Sequence, residues 1–353
     1  MWMNNEKCHG SVGCARAARV LVLAAVLGAG GAARSAPIAP VTRLSIPGGT
    51  PAIGFDDIGY FPALDRVSIP AGQTGMLDLI DPRSGVIAAR YRVADAQSAR
   101  GHREGTTSAA YGDGYLFASD HGRDAVAVLD ARSGKVITRV ALASGPDYVR
   151  FLGSSDQLWV TEPRGQQIQV FQMHPGATPT FKLIATVAVP GGPESLVFDA
   201  ARGRAYANLW KARTVVLNLA HPAVIDSWDD GCAGPRGLAL DEARAVLFVG
   251  CAEGAVTALD LTAGGRVLHK ADAGAGVDII QYAPQVKHLY VPGARAATLT
   301  VFRAGKSGSL QPVDLYQTAR GAHCVAVDGH GGVFVCDPQA GRILEFRDPP
   351  TAR

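Results

Sequence analysis

The sequence predicts an all-β fold, a seven-bladed β-propeller, on three observations. The first is a unit, clearest in GPDYVRFLGSSDQLWVTEPRGQQIQVFQ from Gly145 to Gln172, in which three alternating runs are separated by turns at 153–156 and 163–165. Period-two runs bounded by Gly, Pro, Ser and Asp mark an antiparallel meander, and no stretch carries the 3.6-residue period of an amphipathic helix. The second is recurrence: the unit returns seven times at spacings of about 40 to 50 residues, the size of one four-stranded blade. The third is VTRLSI, Val41 to Ile46, a strand that precedes the first copy, while the seventh copy ends at Phe346-Arg347-Asp348 with no fourth strand of its own. An N-terminal strand that completes the last blade ties the ring shut and removes the open sheet edges of a bare meander.

Residues 1–35 read as a signal peptide and not as part of the fold. Lys7, Arg16 and Arg19 form a positive region, Val20 to Leu27 an apolar core, and Ala33-Arg34-Ser35-Ala36 a small-residue cleavage region. The apolar run is too short and Gly-rich to span a bilayer, and no Cys follows it to carry a lipid anchor. The expectation is a periplasmic or secreted, monomeric protein with no stable membrane insertion.

The remaining chain, 41–348, reads as a single propeller domain. Second strands are RVSIP (Arg66 to Pro70), YLFAS (Tyr115 to Ser119), QLWVT (Gln157 to Thr161), RAYAN (Arg204 to Asn208), VLFVG (Val246 to Gly250), HLYVP (His288 to Pro292) and GVFVC (Gly332 to Cys336). Third strands are MLDLID, VAVLD, IQVFQ, TVVLNL, VTALDL, LTVFR and ILEFR, with inflated turns expected at 174–180 and 303–311.

The net charge of +3 falls to zero once the charged residues of the leader are removed, and no Lys/Arg cluster remains. Nucleic acid and anionic membranes are therefore poor partners. A small-molecule ligand or another exported protein is the expected one. Four cysteines lie beyond the leader. CVAVDGHGGVFVC turns about His330, placing Cys324 opposite Cys336, so a disulfide is expected there; Cys232 and Cys251 flank the preceding hairpin and form the second expected pair. A thiolate metal site is the alternative, without the CxxC spacing that marks one.

Each copy opens with Gly, any residue, then a polar residue: Gly54-Phe55-Asp56, Gly105-Thr106-Thr107, Gly145-Pro146-Asp147, Gly192-Pro193-Glu194, Gly234-Pro235-Arg236, Gly276-Val277-Asp278 and Gly321-Ala322-His323. The first strand of a blade lies nearest the axis, so these polar residues form a ring at one channel mouth. The Gly is expected to supply positive φ or close approach. In order the ring reads Asp, Thr, Asp, Glu, Arg, Asp, His. At about 8 Å between neighbours, each like-charge pair costs roughly 2 kcal/mol at an effective dielectric of about 20. Such a ring binds a cation, holds protons or stays hydrated. The expected cation is Ca²⁺, with Asp56, Asp147 and Glu194 as first ligands and Asp278 and His323 as the opposite wall.

Two resemblances bear on these residues. Leu158-Trp159-Val160-Thr161-Glu162 resembles the Tyr-Val-Thr-Asn strand of the YVTN family of propeller repeats, as do the turns Asp81-Pro82-Arg83-Ser84-Gly85 and Asp130-Ala131-Arg132-Ser133-Gly134. The likeness covers the whole mature chain at the level of the repeat and implies the propeller fold; propellers host many functions. The ring is similar in placement to the axial metal site of the gluconolactonase and regucalcin group, which has six blades and asparagine ligands without counterparts here.

Two functions follow as expectations. One is a binding or scaffolding propeller that uses the acidic mouth to hold a ligand, cation or partner. The other is a metal-dependent lactone hydrolase in which Glu194 or His323 serves as general base. Tyr148 and Arg150 follow the ring residue Asp147 and are further ligand-contact candidates. His102, Glu104 and Thr106 stand in a polar loop that could cover the mouth, while Trp210 and Lys211 are expected on an exposed turn and His121 is one of six histidines scattered over turns and outer positions. No nucleophile elbow, Walker loop, dinucleotide fingerprint or haem-attachment motif is present.

Overall fold

The computed structural model describes residues 38, 40–51, 53–96 and 105–348. The expected leader, as well as His102 and Glu104, lies outside the described residues. The described strands form seven four-stranded antiparallel sheets, a seven-bladed β-propeller. Blade 3 shows the pattern. Its inner strand Val149–Leu152 pairs with Gln157–Glu162, which pairs with Gln167–His174, which pairs with the outer strand Thr180–Ala188. The second and third strands fall within about two residues of the runs read from sequence, because alternating apolar side chains on both faces bury themselves between neighbouring blades. The expected turn at 174–180 is the tip of a hairpin whose strands themselves lengthen to 8 and 9 residues.

Blade 7 takes its outer strand from the N-terminal side: Thr42–Ser45 pairs antiparallel with Arg342–Arg347, and Thr42 Oγ1 donates to Glu345 at 2.7 Å. In the other six blades the register between third and outer strand shifts by one residue, for example between Val170 and Phe171 and between Ala258 and Leu259. A bulge at that place increases the local twist. Third strands in three blades end in an aspartate that closes the following turn. Asp81, Asp130 and Asp260 accept from backbone amides two or three residues on; the Ser133 and Thr262 hydroxyls, with those amides, hold Asp130 and Asp260 below the usual carboxylate range, and the amides of Ser84 and Arg83 do the same for Asp81.

Both expected disulfides form, Cys232–Cys251 and Cys324–Cys336. The core lies between blades. Phe117 of blade 2 stacks on Phe151 of blade 3 with centroids 4.8 Å apart, Trp159 meets Phe198 edge-on at 5.7 Å, and Phe248 packs on Tyr282 at 5.3 Å. In each case an aromatic ring on one blade's second strand meets the inner strand of the next blade. Such pairs add about 1 kcal/mol beyond their buried area.

Candidate functional site: the two mouths of the axial channel

The regular inner strands begin two or three residues after the ring position in five blades, so Asp56, Thr107, Asp147, Asp278 and His323 sit on the approach to the strand. The glycine two residues earlier behaves in two ways. Gly54, Gly105, Gly276 and Gly321 have φ between 67° and 88°, where a side chain is strained. Gly145, Gly192 and Gly234 do not, and these are the three that precede proline, which forces extended backbone. Two solutions bring the chain to the same place.

Asp56, Asp147, Glu194, Arg236 and Asp278 line one cavity of about 230 Å³. Thr107 does not reach it; it is fully buried, and its Oγ1 lies 2.7 Å from Nε2 of His121, which lines the cavity in its stead. Arg164 and Trp210 complete the rim. These three residues share an origin. The second strand runs antiparallel to the first, so the turn that follows it returns to the mouth where the first strand started. His121 after Tyr115–Asp120, Arg164 after Gln157–Glu162 and Trp210 after Arg204–Leu209 all arrive this way. His121 is thus at the site, against expectation. The mouth also contains a second certain cation, Arg164.

His323 departs from its expected role. It is buried, with Nδ1 2.7 Å from the Gly321 carbonyl oxygen and Nε2 2.8 Å from that of Phe55, so its nitrogens join blade 7 to blade 1 and offer no lone pair to a substrate as general base. Thr106 is buried too, in a bridge to Gly72.

The four acids are half-buried where they line the cavity. Burial, with the charges of Asp147, Asp278 and Glu194 adding to it, pushes Asp56 well above the carboxylate range. Burial and then Glu194 do the same to Asp147. Burial and Asp278 raise Glu194 to about 7, against the opposing effects of a hydrogen bond from Trp210 Nε1 and the charge of Arg236. Desolvation penalises the charged form and like charges compound it. Burial and like charge thus favour the protonated forms of Asp56, Asp147 and Glu194.

Tyr148, which follows Asp147, does not line the cavity; it is 2 % exposed and its buried hydroxyl has no hydrogen-bond partner. Burial, and after it the charges of Asp56, Glu194 and Asp278 from three different blades, push its ionisation far up. Beneath the Tyr148 ring, 5.0 Å from its centroid, is the Arg150 guanidinium. Arg150 binds both oxygens of Asp57 and donates through Nε to the Leu196 carbonyl; Ser108 Oγ donates to Asp57 at 2.6 Å. Asp57, unremarked in the sequence, therefore joins blades 1, 2 and 3, with the Arg150–Leu196 bond extending the tie to blade 4. The doublet Asp56-Asp57 is divided between the two halves of the channel.

The opposite mouth is a cavity of about 1180 Å³. Residues four beyond the ring line it in every blade: Tyr60, Tyr111, Phe151, Phe198, Leu240, Tyr282 and Val327. Aligning the repeats one turn further would have found this ring.

Among the described residues, only two triads of His, Cys, Asp or Glu bring ligand atoms within 4.8 Å of one another: His323 with Cys324 and Cys336, and Cys232 and Cys251 with Glu253. Each spends two sulfurs on a disulfide. Asp56, Asp147, Glu194 and Asp278 form no such triad, so the six to eight oxygens of a Ca²⁺ shell are not assembled.

No protein-family model matches the chain, and no curated protein matches it. Solved structures do. The β-propeller domain of Cps50 (Swd1) from Myceliophteria thermophila superposes with a TM-score of 0.67 at 14% identity, covering 88% of this chain and 99% of that one. A chain of Kuenenia stuttgartiensis hydrazine synthase gives 0.69 at 14%, covering 86% and 97%, and a chain of a mitotic checkpoint complex gives 0.73 at 12%, covering 98% and 100%. They share its fold. At such identities the likeness shows the seven-bladed propeller and leaves function to the site. No helix among the described residues is long and apolar enough to cross a membrane.

Proposed function

We propose that this protein is an exported binding propeller whose acidic axial mouth holds a positively charged group. One observation carries the reading: the carboxylates of Asp56, Asp147, Glu194 and Asp278, from four blades, converge on one small cavity. A charged group seated there offsets the repulsion that raises Asp56, Asp147 and Glu194, and releases the protons they retain. The two disulfides support an oxidising compartment. The scaffolding role known broadly among propellers supports binding as the general class; one neighbour is part of a mitotic checkpoint complex. The metal-dependent hydrolase reading needs a metal shell together with a general base at Glu194 or His323; the His323 nitrogens face two carbonyl oxygens, while Glu194 lines the cavity.

The test is thermal melting at pH 8 and low salt with CaCl₂ and, separately, with small organic ammonium salts, on wild type and on Asp147→Asn with Glu194→Gln. At least one cation should raise the melting temperature of the wild type and not that of the double variant. No shift with any of them, or equal shifts in both proteins, overturns the reading.

A further inference from the structure

We propose that the wide mouth of the channel is a second binding site, for an uncharged oligosaccharide whose sugar rings lie on the aromatic frame and whose hydroxyls take up the polar groups that the frame leaves unspent. No residue lines both cavities, so this site is separate from the acidic one. Four features of the wide mouth select the ligand.

The first is cleared space. One position before the ring that begins with Tyr60, the seven blades read Gly59, Ala110, Arg150, Val197, Ala239, Gln281 and Ala326, and all but the last line the cavity. Small residues in most blades leave the lumen open to about 1180 Å³, above the roughly 300–1,000 Å³ of ordinary small-molecule pockets, so there is room for several rings. Gly59 is the clearest case. It begins the inner strand of blade 1 without positive φ, and a Cβ there meets no atom within 4 Å, so neither backbone conformation nor packing requires glycine. A strand glycine of that kind suits close approach of a ligand.

The second is the aromatic frame. Tyr60, Tyr111, Phe151, Phe198 and Tyr282 bring rings from five blades to the cavity. The face of such a ring is the negative end of its quadrupole, which attracts the C–H groups of a sugar ring while burying them. Phe151, Phe198 and Tyr282 are each packed on a ring of the preceding blade, so this surface is set before a ligand arrives. The third is charge. Arg150 is the one Lys or Arg at the cavity among the described residues, and Asp57 cancels it by binding through both oxygens. Asp328 accepts from the amides of His330 and Gly332, and Glu242 from that of Ala201. An anion finds no counter-charge here and meets two carboxylates.

The last is unspent hydrogen bonding. The Tyr111 hydroxyl and the Gln281 amide have no partner among the described residues, and both residues are only half-buried at the cavity. Arg150 spends four of its five N–H groups on Asp57, Val149 and Leu196, which leaves one on a side chain 25% exposed. Arg150 and Gln281 stand in blades 3 and 6, on nearly opposite walls. A sugar hydroxyl both donates and accepts, so it satisfies phenol, amide and guanidinium alike. A purely apolar guest strips water from all three and returns nothing.

The experiment is calorimetric titration of the full mature protein at pH 7 with maltotetraose, cellotetraose, mannotetraose and tetra-N-acetylchitotetraose. Tetragalacturonate is the anionic control and N-phenyl-1-naphthylamine the apolar one. The variants are Gly59→Leu and Gln281→Ala. At least one neutral tetrasaccharide is expected to bind, and tetragalacturonate is not. Gly59→Leu fills open lumen, so its melting temperature should hold while saccharide binding is lost. Gln281→Ala should weaken binding about tenfold, the loss of one or two hydrogen bonds. Unchanged affinity in either variant places the saccharide elsewhere and overturns the proposal, as does binding of none of the four. Naphthylamine bound in place of any saccharide, and lost in Gly59→Leu, overturns the ligand class and leaves an apolar site. Tetragalacturonate bound as tightly as the neutral sugars overturns the requirement for an uncharged ligand.

Discussion

The two mouths of the channel are built from the same repeat and do opposite work. At the acidic mouth the chain approaches the inner strand through a Gly-x-polar step, and five of the seven side chains at that step line the cavity. Four residues later the same strand reaches the other mouth, where the rings of Phe151, Phe198 and Tyr282 pack against an aromatic ring of the preceding blade. One mouth stores repulsion among charges; the other stores contact between blades. The wide cavity is therefore framed by structural residues, and the narrow one by residues whose burial works against stability.

The contrast breaks first, and by the largest margin, with Phe151→Ala. Removing a ring stacked on Phe117 should cost about 3 kcal/mol, read as a lower denaturant midpoint at unchanged slope. A change as mild as that of Asp147→Asn would erase the distinction between the mouths. Reduction of Cys324–Cys336, or the pair of Cys→Ala changes, should cost about 2–3 kcal/mol for a loop of this length. Its effect should add to that of Phe151→Ala, since the two sites share no partner.

The acidic mouth sharpens the comparison in the opposite direction. Asp56, Asp147 and Glu194 keep protons in the folded state that the unfolded chain has released. Folded protein thus binds more protons than unfolded between about pH 4 and 7, and in that window stability falls as pH rises. Asp147→Asn with Glu194→Gln should flatten this slope and raise the melting temperature at pH 8 by a few degrees, while leaving it nearly unchanged at pH 4. A steeper slope in the variant would contradict the assignment.

The strands were legible because alternation and turn residues repeat seven times, and the cysteine pairs because Cys324 and Cys336 stand at equal distances from a turn. The carboxylates at the acidic mouth were legible for the same reason: equivalent positions in a cyclic repeat face one axis. Residues delivered by the turn after the second strand were not. His121, Arg164 and Trp210 come from turns of different length and sequence, so no column of the repeat marks them, although antiparallel pairing alone dictates which mouth they reach. His323 was misread for a related reason. Its column fixes where its backbone lies, while the carbonyl oxygens of Gly321 and Phe55 decide where its nitrogens point. Donor separation, which governs whether the acids assemble a metal shell, is not encoded in spacing at all.

The most direct test is a carboxyl-carbon NMR titration of Glu194 in the ligand-free protein, assigned with Glu194→Gln. The account predicts a midpoint near 7, in place of the ordinary glutamate value of 4.5, moving down when a cation occupies the mouth. A midpoint at 4.5, unmoved by any cation, would mean that the mouth is a hydrated rim with no charge to satisfy.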